Sequence, residues 1–479
     1  MTVFFFAIAA AVMLFFGILL VRAACFRPGK KAVAESAPID LDRRRAVSAL
    51  QELVRCKTVS YSDHALEEDS EFEKLISLLP RLYPSVFQAC EFLRFPERGL
   101  LLKWTGKAHH APVVMMAHYD VVPAEESQWD KPAFEAIIEN GVLWGRGTLD
   151  TKVTVNGILC AAEHLISTGF RPENDCYFAF SGSEEINGNG AKYIVDYFIE
   201  QGITPALVLD EGGAVVENVF PGVKSPCALI GIGEKGMMNV EYSVTSHGGH
   251  ASAPPVETPV SILSHACLKV LSHPFQMRIN APAAQLFDTL GRHSTFFYRI
   301  VFSNLWCFRP VLDLICKKTG GELNALVRTT TAFTQMEGSS ARNVLPNKAA
   351  LVSNMRLNPG DTVAAAQRHL EKAVNDDRIQ IRVLEAFEAS PVSVTDCDAY
   401  RMLSDTAAQT WPGCIVSPYL MVQCSDARHY GRLSDRVYRF CPMELTDEER
   451  KTIHGNNERI RLDAICKTVE FYIRLIKQC

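Results

Sequence analysis

Hydrophobic and polar positions divide the chain into stretches of different character. From Val3 to Val21 the residues are continuously apolar, broken only by Gly17, and residues 1–21 carry no charged side chain. At ~1.5 Å per helical residue, such a run approaches the ~30 Å of a hydrocarbon core. From Ile39 apolar residues recur at helical spacing, as in Leu41, Val47, Leu50, Leu53 and Val54. Short apolar runs then alternate with helical ones. Val113–Ala117, Tyr177–Phe180 and Ala206–Leu209 read as buried strands, and Lys152 to Ser167 reads as a helix ended by Gly169 and Pro172. Strand–helix–strand alternation predicts a wound α/β sheet.

The pattern changes near Gly231. Asn239–Thr245 alternates like a half-exposed strand, Pro259–Leu271 follows as a helix, and Ala349–Arg356 and Ile379–Glu385 as further strands. This predicts an α+β lid domain inserted into the first. Phe275–Leu323 is aromatic and basic without a clear period and reads as an insertion within that second domain. Asp447 to Lys477 reads as mostly helical and returns to the first sheet. The organisation expected is an anchor over 1–24, a tether over 25–38, a catalytic domain in two parts (39–231 and 389–479) and the lid over 232–388.

Composition narrows the classes. Of 479 residues, 48% are hydrophobic and 22% charged, which excludes collagen-like and wholly disordered chains. A formal net charge of −5 supplies no basic excess for phosphate backbones, so no nucleic-acid partner is expected. The 15 cysteines show no paired CxxC spacing and read as reduced, buried thiols. The apolar amino terminus lacks the basic n-region of a signal peptide and exceeds its usual ~7–15-residue apolar stretch. It reads as an uncleaved single-pass membrane anchor. Arg22, Arg27, Lys30 and Lys31 follow the span, and the positive-inside rule puts the bulk of the chain on the cytoplasmic side.

The chemistry lies where the strands end. Val113–Ala117 runs into His118-Tyr119-Asp120, Tyr177–Phe180 into Ser181-Gly182-Ser183-Glu184-Glu185, and Ala206–Leu209 into Asp210-Glu211-Gly212-Gly213. Asp150 precedes the Lys152 helix. Open α/β sheets bind ligands beyond the carboxyl ends of their strands. Crowded carboxylates raise one another's pKa, and divalent metal removes the conflict. A His and Asp/Glu set without thiolate suits zinc or a similar transition metal. Two metals need a bridging carboxylate plus about two further ligands each. His118, Asp150, Glu185 and Asp210 are one short, and His454 is the best candidate downstream. Of the adjacent acids Glu184 and Glu185, one can bind metal and the other take a proton from water. Asp120 can hold the second ring nitrogen of His118. His109, His110, His164, His265, His273 and His293 lack such context, and Cys424 reads as a packed thiol.

These segments resemble the family of dizinc amidohydrolases that contains aminoacylase, carboxypeptidase G and carboxypeptidase S. The motifs are MAHYDVVP (Met116–Pro123), GRGTLDTK (Gly145–Lys152), SGSEEINGNGA (Ser181–Ala191), LDEGG (Leu209–Gly213), GHASAPP (Gly249–Pro255), ARNVLPNKA (Ala341–Ala349), SDARHY (Ser425–Tyr430) and IHGNNERI (Ile453–Ile460). The second domain and the GHASAPP and IHGNNERI forms resemble the carboxypeptidase S and N-fatty-acyl-amino-acid hydrolase branch. The resemblance implies that His118 and Asp210 hold one zinc, Glu185 and His454 the other, and Asp150 bridges, with Co2+ or Mn2+ as substitutes. It makes Glu184 the general base and Asp120 the orienter of His118. It assigns oxyanion stabilisation to His250, often across a dimer interface, carbonyl contact to Asn343 and the substrate carboxylate to Arg356. Thr151 stands where relatives often carry a second acid or Met. A membrane-anchored relative faces the lumen, against the cytoplasmic side that the charges favour.

The activity expected is zinc-dependent cleavage of the amide bond of short peptides or N-acyl amino acids with a free carboxylate. The alternatives are an N-fatty-acyl-amino-acid hydrolase/synthase, a dipeptidase, or a catalytically silent binding protein on the same fold. Silence would be marked by a lost ligand or a lost Glu184, and neither is lost.

Overall fold

A computed structural model describes residues 2–29 and 37–479. Half of the expected tether, residues 30–36 with Lys30 and Lys31, therefore lies outside the described residues. The larger sheet has eight strands in the order Glu91–Phe95, Gly99–Trp104, Asn174–Ser181, Ala108–His118, Leu207–Val216, Val437–Leu445, Cys227–Glu234 and Ile415–Met421. Its centre is parallel: Ala108–His118 pairs in parallel with Asn174–Ser181 on one side and Leu207–Val216 on the other. Side chains alternate between faces, as strand geometry requires. Val114 and Met116 pack with Ile194, Val195 and Phe198 of helix Gly190–Glu200, while Val113 and Met115 pack with Ile158, Leu159 and Val469 of helices Lys152–Ser167 and Leu462–Ile476. Helices thus cover both faces, which is why the strands read as unbroken apolar runs. The parallel order sets the carboxyl ends of three central strands side by side.

A second sheet is antiparallel, in the order Thr330–Glu337, Lys348–Leu357, Gly236–Thr245 and Gln380–Phe387. Helices Pro259–Ser272 and Val363–Val374 supply Leu263, Ala266 and Leu370 to its own core, with Met238, Val240 and Leu351.

One stretch departs from the sequence reading. Phe275 packs on the core of the second unit, but the helices that follow it do not join that core. These are Ala281–His293, Phe296–Phe302, Leu305–Thr319 and the start of Gly321–Val327. Their Leu286, Phe287, Leu290 and Phe302 pack with Val216, Phe220, Leu229 and Tyr419 of the larger unit. The seven-residue helix Phe296–Phe302 and Pro310 inside Leu305–Thr319 blur the 3.6 period that would have revealed them. Residues 447–477 are mostly helical, as read, but in two pieces. Helix Asp447–Arg450 and helix Leu462–Ile476 are separated by a loop and strand Arg459–Arg461, with His454 at φ 56° and Asn457 at φ 61°. Gly455, Asn456 and Asn457 favour that turn over helix.

Helix Thr2–Cys25 is long and apolar enough to cross a membrane, and 6% of its apolar window is buried. The cysteines are free thiols.

Candidate metal centre

His118 ends its strand with 2% of its surface exposed. The main chain fixes it: Thr151 Oγ1 donates to the His118 carbonyl at 3.0 Å and accepts its N–H at 3.2 Å. The ring is fixed too. Its Nδ1 lies 3.0 Å from the Asp120 carbonyl oxygen and 3.4 Å from the Asp120 carboxylate. That leaves Nε2 aimed at Asp150 Oδ1, 2.9 Å away, and at Glu211 Oε2, 3.3 Å away. The other oxygen of Asp150 lies 3.1 Å from His454 Nε2, which also meets Glu185 Oε2 at 3.0 Å. One carboxylate therefore stands between two imidazoles, one oxygen to each.

Asp120 does more than orient a ring. Its carboxylate accepts the backbone N–H groups of Glu184 and Glu185 at 3.2 and 3.1 Å, and the Ser60 hydroxyl at 2.8 Å. It fixes the turn that parts the two glutamates. Glu185 turns to His454, whereas Glu184 groups with His118 and Glu211.

Asp210 is not brought into either group. Its Oδ2 accepts the Ala427 N–H at 2.7 Å, and it is Glu211 whose carboxylate lies 3.3 Å from His118 Nε2. The strand register explains this placement. Asp210 pairs with Arg439 and Gly213 with Phe440, so Glu211 and Gly212 bulge out of the ladder. A bulge re-aims a side chain. Gly212 sits at φ 137°, and a Cβ on Gly213 would fall 1.7 Å from the Leu229 carbonyl oxygen.

The electrostatics call for positive charge. Burial, reinforced by Glu211, lifts the Glu184 carboxyl well above the usual range. Burial lifts Glu211 to about 8 against the pull of His118. Asp150 is also buried, but hydrogen bonds from His118 and His454 outweigh that and hold it well below the usual range. Those to Asp150 and Glu185 raise His454 to about 10. The carboxylates around them draw protons onto both imidazoles, His118 as well as His454. Glu185 Oε1 is buried with no hydrogen-bond partner. An oxygen-and-imidazole donor set with an orphaned carboxylate oxygen fits divalent cations.

A residue the sequence reading passed over holds the loop carrying Asp150. Glu458 is fully buried and accepts the N–H groups of Gly147 at 3.1 Å, Leu149 at 2.7 Å and Asp150 at 3.3 Å, with Arg146 Nη1 at 2.7 Å. Buried Lys152 donates to the Leu53 and Cys56 carbonyls at 3.1 and 2.6 Å, tying the helix after Asp150 to the end of helix Arg43–Val54.

The residues expected around the substrate lie elsewhere. His250 and Asn343 are exposed and adjacent, since strands Gly249–His250 and Val344–Leu345 pair and the Ala251 N–H meets the Asn343 carbonyl at 3.0 Å. His250 Nδ1 meets Ser252 Oγ at 2.7 Å, and no hydrogen bond or ion pair joins it to the metal cluster among the described residues. Arg356 donates to Cys424 Sγ at 3.0 Å. Cys424 and Ser425 line the same cleft as Asp150, Glu184, Glu185, Glu211 and His454, a space of about 640 Å³. Its lining also includes the apolar side chains of Val216, Leu229, Met421 and Leu445.

Residues 114–478 match the model of peptidase family M20/M25/M40. The chain belongs to that family. This M20 chain is 36% identical over 429 residues to a probable carboxypeptidase S-like 2 of Dictyostelium discoideum, covering 88% of this chain and 82% of that one. It is 36% identical over 447 residues to the N-fatty-acyl-amino acid synthase/hydrolase PM20D1 of Xenopus tropicalis, covering 91% and 86%. An M20 metallo-carboxypeptidase, Sso-CP2 from Sulfolobus solfataricus, shares the fold at TM-score 0.66 and 18% identity, covering 90% of this chain and 98% of that one. Human carnosine dipeptidase 1 shares it at TM-score 0.64 and 12% identity, over 91% and 97%. The protein is accordingly a metallo-hydrolase of the M20 family.

Proposed function

We propose that this M20 enzyme hydrolyses the amide bond of N-acyl amino acids, with short peptides as secondary substrates, using two zinc ions. The observation that carries the reading is the position of Asp150, one oxygen 2.9 Å from His118 and the other 3.1 Å from His454. His118, Glu211 and Asp150 would hold one ion, and Asp150, Glu185 and His454 the second. When bound, the ions supply Lewis acidity to the scissile carbonyl and lower the pKa of water towards neutrality. Glu184, raised by burial and near both His118 and Glu211, takes the proton from the attacking water and returns it to the leaving amine. Asp120 keeps His118 in one tautomer and Glu184 in place. Arg356, beside the cleft residue Cys424, is suited to the substrate carboxylate through its planar fork.

The apolar part of the cleft lining favours an acyl group over a peptide side chain, and it supports the N-fatty-acyl alternative. His250 and Asn343 sit together on the second unit, where a moving lid or a second copy would carry them to the carbonyl. The helix at the amino terminus is read as a membrane anchor.

The test is turnover of N-acyl amino acids and dipeptides by purified chain, with metal content measured in parallel. Glu184→Gln should abolish turnover and keep the metal. Retained turnover would refute the base assignment, and fewer than one metal per chain would refute the dizinc reading.

A further inference from the structure

The helices between residues 281 and 327 join two features that the rest of the chain keeps apart. At one end the amino-terminal helix leans on them. Arg22 Nε and Nη2 donate to the Ser303 carbonyl at 3.1 and 2.8 Å, Asn304 Nδ2 donates to the Leu19 carbonyl at 3.2 Å, and the Phe15 and Trp306 rings meet edge to face at 6.0 Å. At the other end Gly321, Glu322 and Ala325 line the cleft that holds Asp150 and Glu184.

The outer faces of Phe296–Phe302 and Leu305–Thr319 are apolar and uncovered. Phe297 is 70% exposed, Trp306 61% and Leu314 54%. Val311, Leu314 and Ile315 follow the i, i+3, i+4 pattern of one helical stripe, while Leu312 and Cys316 of the same helix are buried. Exposed Arg309, Lys317 and Lys318 belong to the same helix; Arg309 donates to the Met277 carbonyl at 2.9 Å and Lys317 pairs with Asp313 at 2.7 Å. Scattered exposed apolar residues need no explanation, but an apolar stripe with basic companions does.

The contact with the amino-terminal helix says what covers this face. At ~1.5 Å per residue, Phe15 lies roughly 10 Å further along its helix than Arg22. With Arg22 at the headgroups, Phe15 is within the hydrocarbon, and Trp306, packed on Phe15, lies at the same depth. We infer that residues 296–319 form a second, in-plane contact with a lipid bilayer, immersed beside the anchor, with Arg309, Lys317 and Lys318 on anionic headgroups. This rests on the anchor reading above. The immersed helix runs directly into the cleft wall at Gly321, so an acyl chain passes from bilayer to cleft along it.

The test uses the full chain in vesicles of phosphatidylcholine and phosphatidylserine whose acyl chains carry bromine, a quencher of nearby tryptophan. Of the other tryptophans, Trp104, Trp129 and Trp411 are buried and Trp144 is half-buried. Wild-type fluorescence should be quenched, and Trp306→Phe should lose most of that quenching while still floating with the vesicles. Equal quenching of both chains, or none, in floating protein overturns the proposal and leaves the anchor standing. A chain that does not float overturns both. A third result also overturns it: Trp306 shielded from bromine, together with a detergent-solubilised dimer that Val311→Asp splits, which gives the face to a second copy.

Discussion

Arg146 and Glu458 face each other 2.7 Å apart, both buried, although 312 residues separate them. Glu458 follows His454 in the same motif, and Arg146 precedes Asp150 in another. The pair thus fastens the two loops that carry one bridging carboxylate and one imidazole. Breaking a buried pair from one side costs about 3–5 kcal/mol, because the surviving charge stays buried. Glu458→Ala should lower stability by about that much in denaturant titration. Partners behind metal ligands are worth about 10–100-fold in affinity. Glu458→Gln, which keeps one of the two acceptor oxygens, should fold and should release metal to chelator more readily by a factor in that range. Unchanged release would remove Glu458 from the centre's support.

The bulge at Glu211 makes a prediction that separates two neighbouring acids. Glu211 faces His118 at 3.3 Å, whereas Asp210 accepts the Ala427 N–H. Glu211→Ala should drop turnover by at least about 100-fold, more than the loss of a supporting partner, and should lower bound metal. Asp210→Asn keeps an acceptor for Ala427 and should retain its metal. Metal analysis of the two variants decides it, and the opposite ranking would restore Asp210 as the ligand.

The contrast between these acids marks how far the sequence could be read. Apolar runs ending in His118, Glu184-Glu185 and Asp210-Glu211 were legible because a parallel sheet buries both faces and leaves polar chemistry at its strand ends. Which acid of LDEGG turns inward was not, because a one-residue choice depends on register. The only local signal was the Gly212-Gly213 pair, since glycine in a strand often marks a bulge. Glu458 was hidden for another reason: its partners are backbone N–H groups and an arginine from a distant loop, and neither leaves a pattern near residue 458. The helices of residues 281–319 escaped because one has only seven residues, another carries Pro310 inside it, and their apolar faces point to different neighbours.

Asp120 offers a test of positioning as distinct from metal binding. Its carboxylate accepts three donors, the N–H groups of Glu184 and Glu185 and the Ser60 hydroxyl. In Asp120→Asn the side-chain nitrogen can donate but not accept, so one backbone N–H loses its partner at a cost of about 1–3 kcal/mol. The glutamate turn should loosen, and kcat should fall by about 10–100-fold with KM less affected. Metal content should hold, because the Asp120 carbonyl still faces His118 Nδ1. A rise in KM at unchanged kcat would contradict this.

His429 supplies a pH dependence away from the metal centre. Burial, with the positive charges of Arg428, Lys192 and Arg432, pushes its imidazole down to about 4, and its Nε2 is buried without a hydrogen-bond partner. The folded chain therefore keeps His429 neutral where the unfolded chain, near 6.5, takes up a proton. Stability rises with pH wherever the unfolded state binds more protons. The contribution is complete above about pH 6.5 and is lost as pH falls towards 4. At pH 5 the loss is roughly 1–2 kcal/mol. His429→Leu removes the titrating group, so its denaturation midpoint should fall less than wild type's between pH 7.5 and pH 5. Reading the difference between the two chains cancels acid loss at the metal ligands, which both share. Parallel midpoints across that window would mean that His429 is protonated in the folded state.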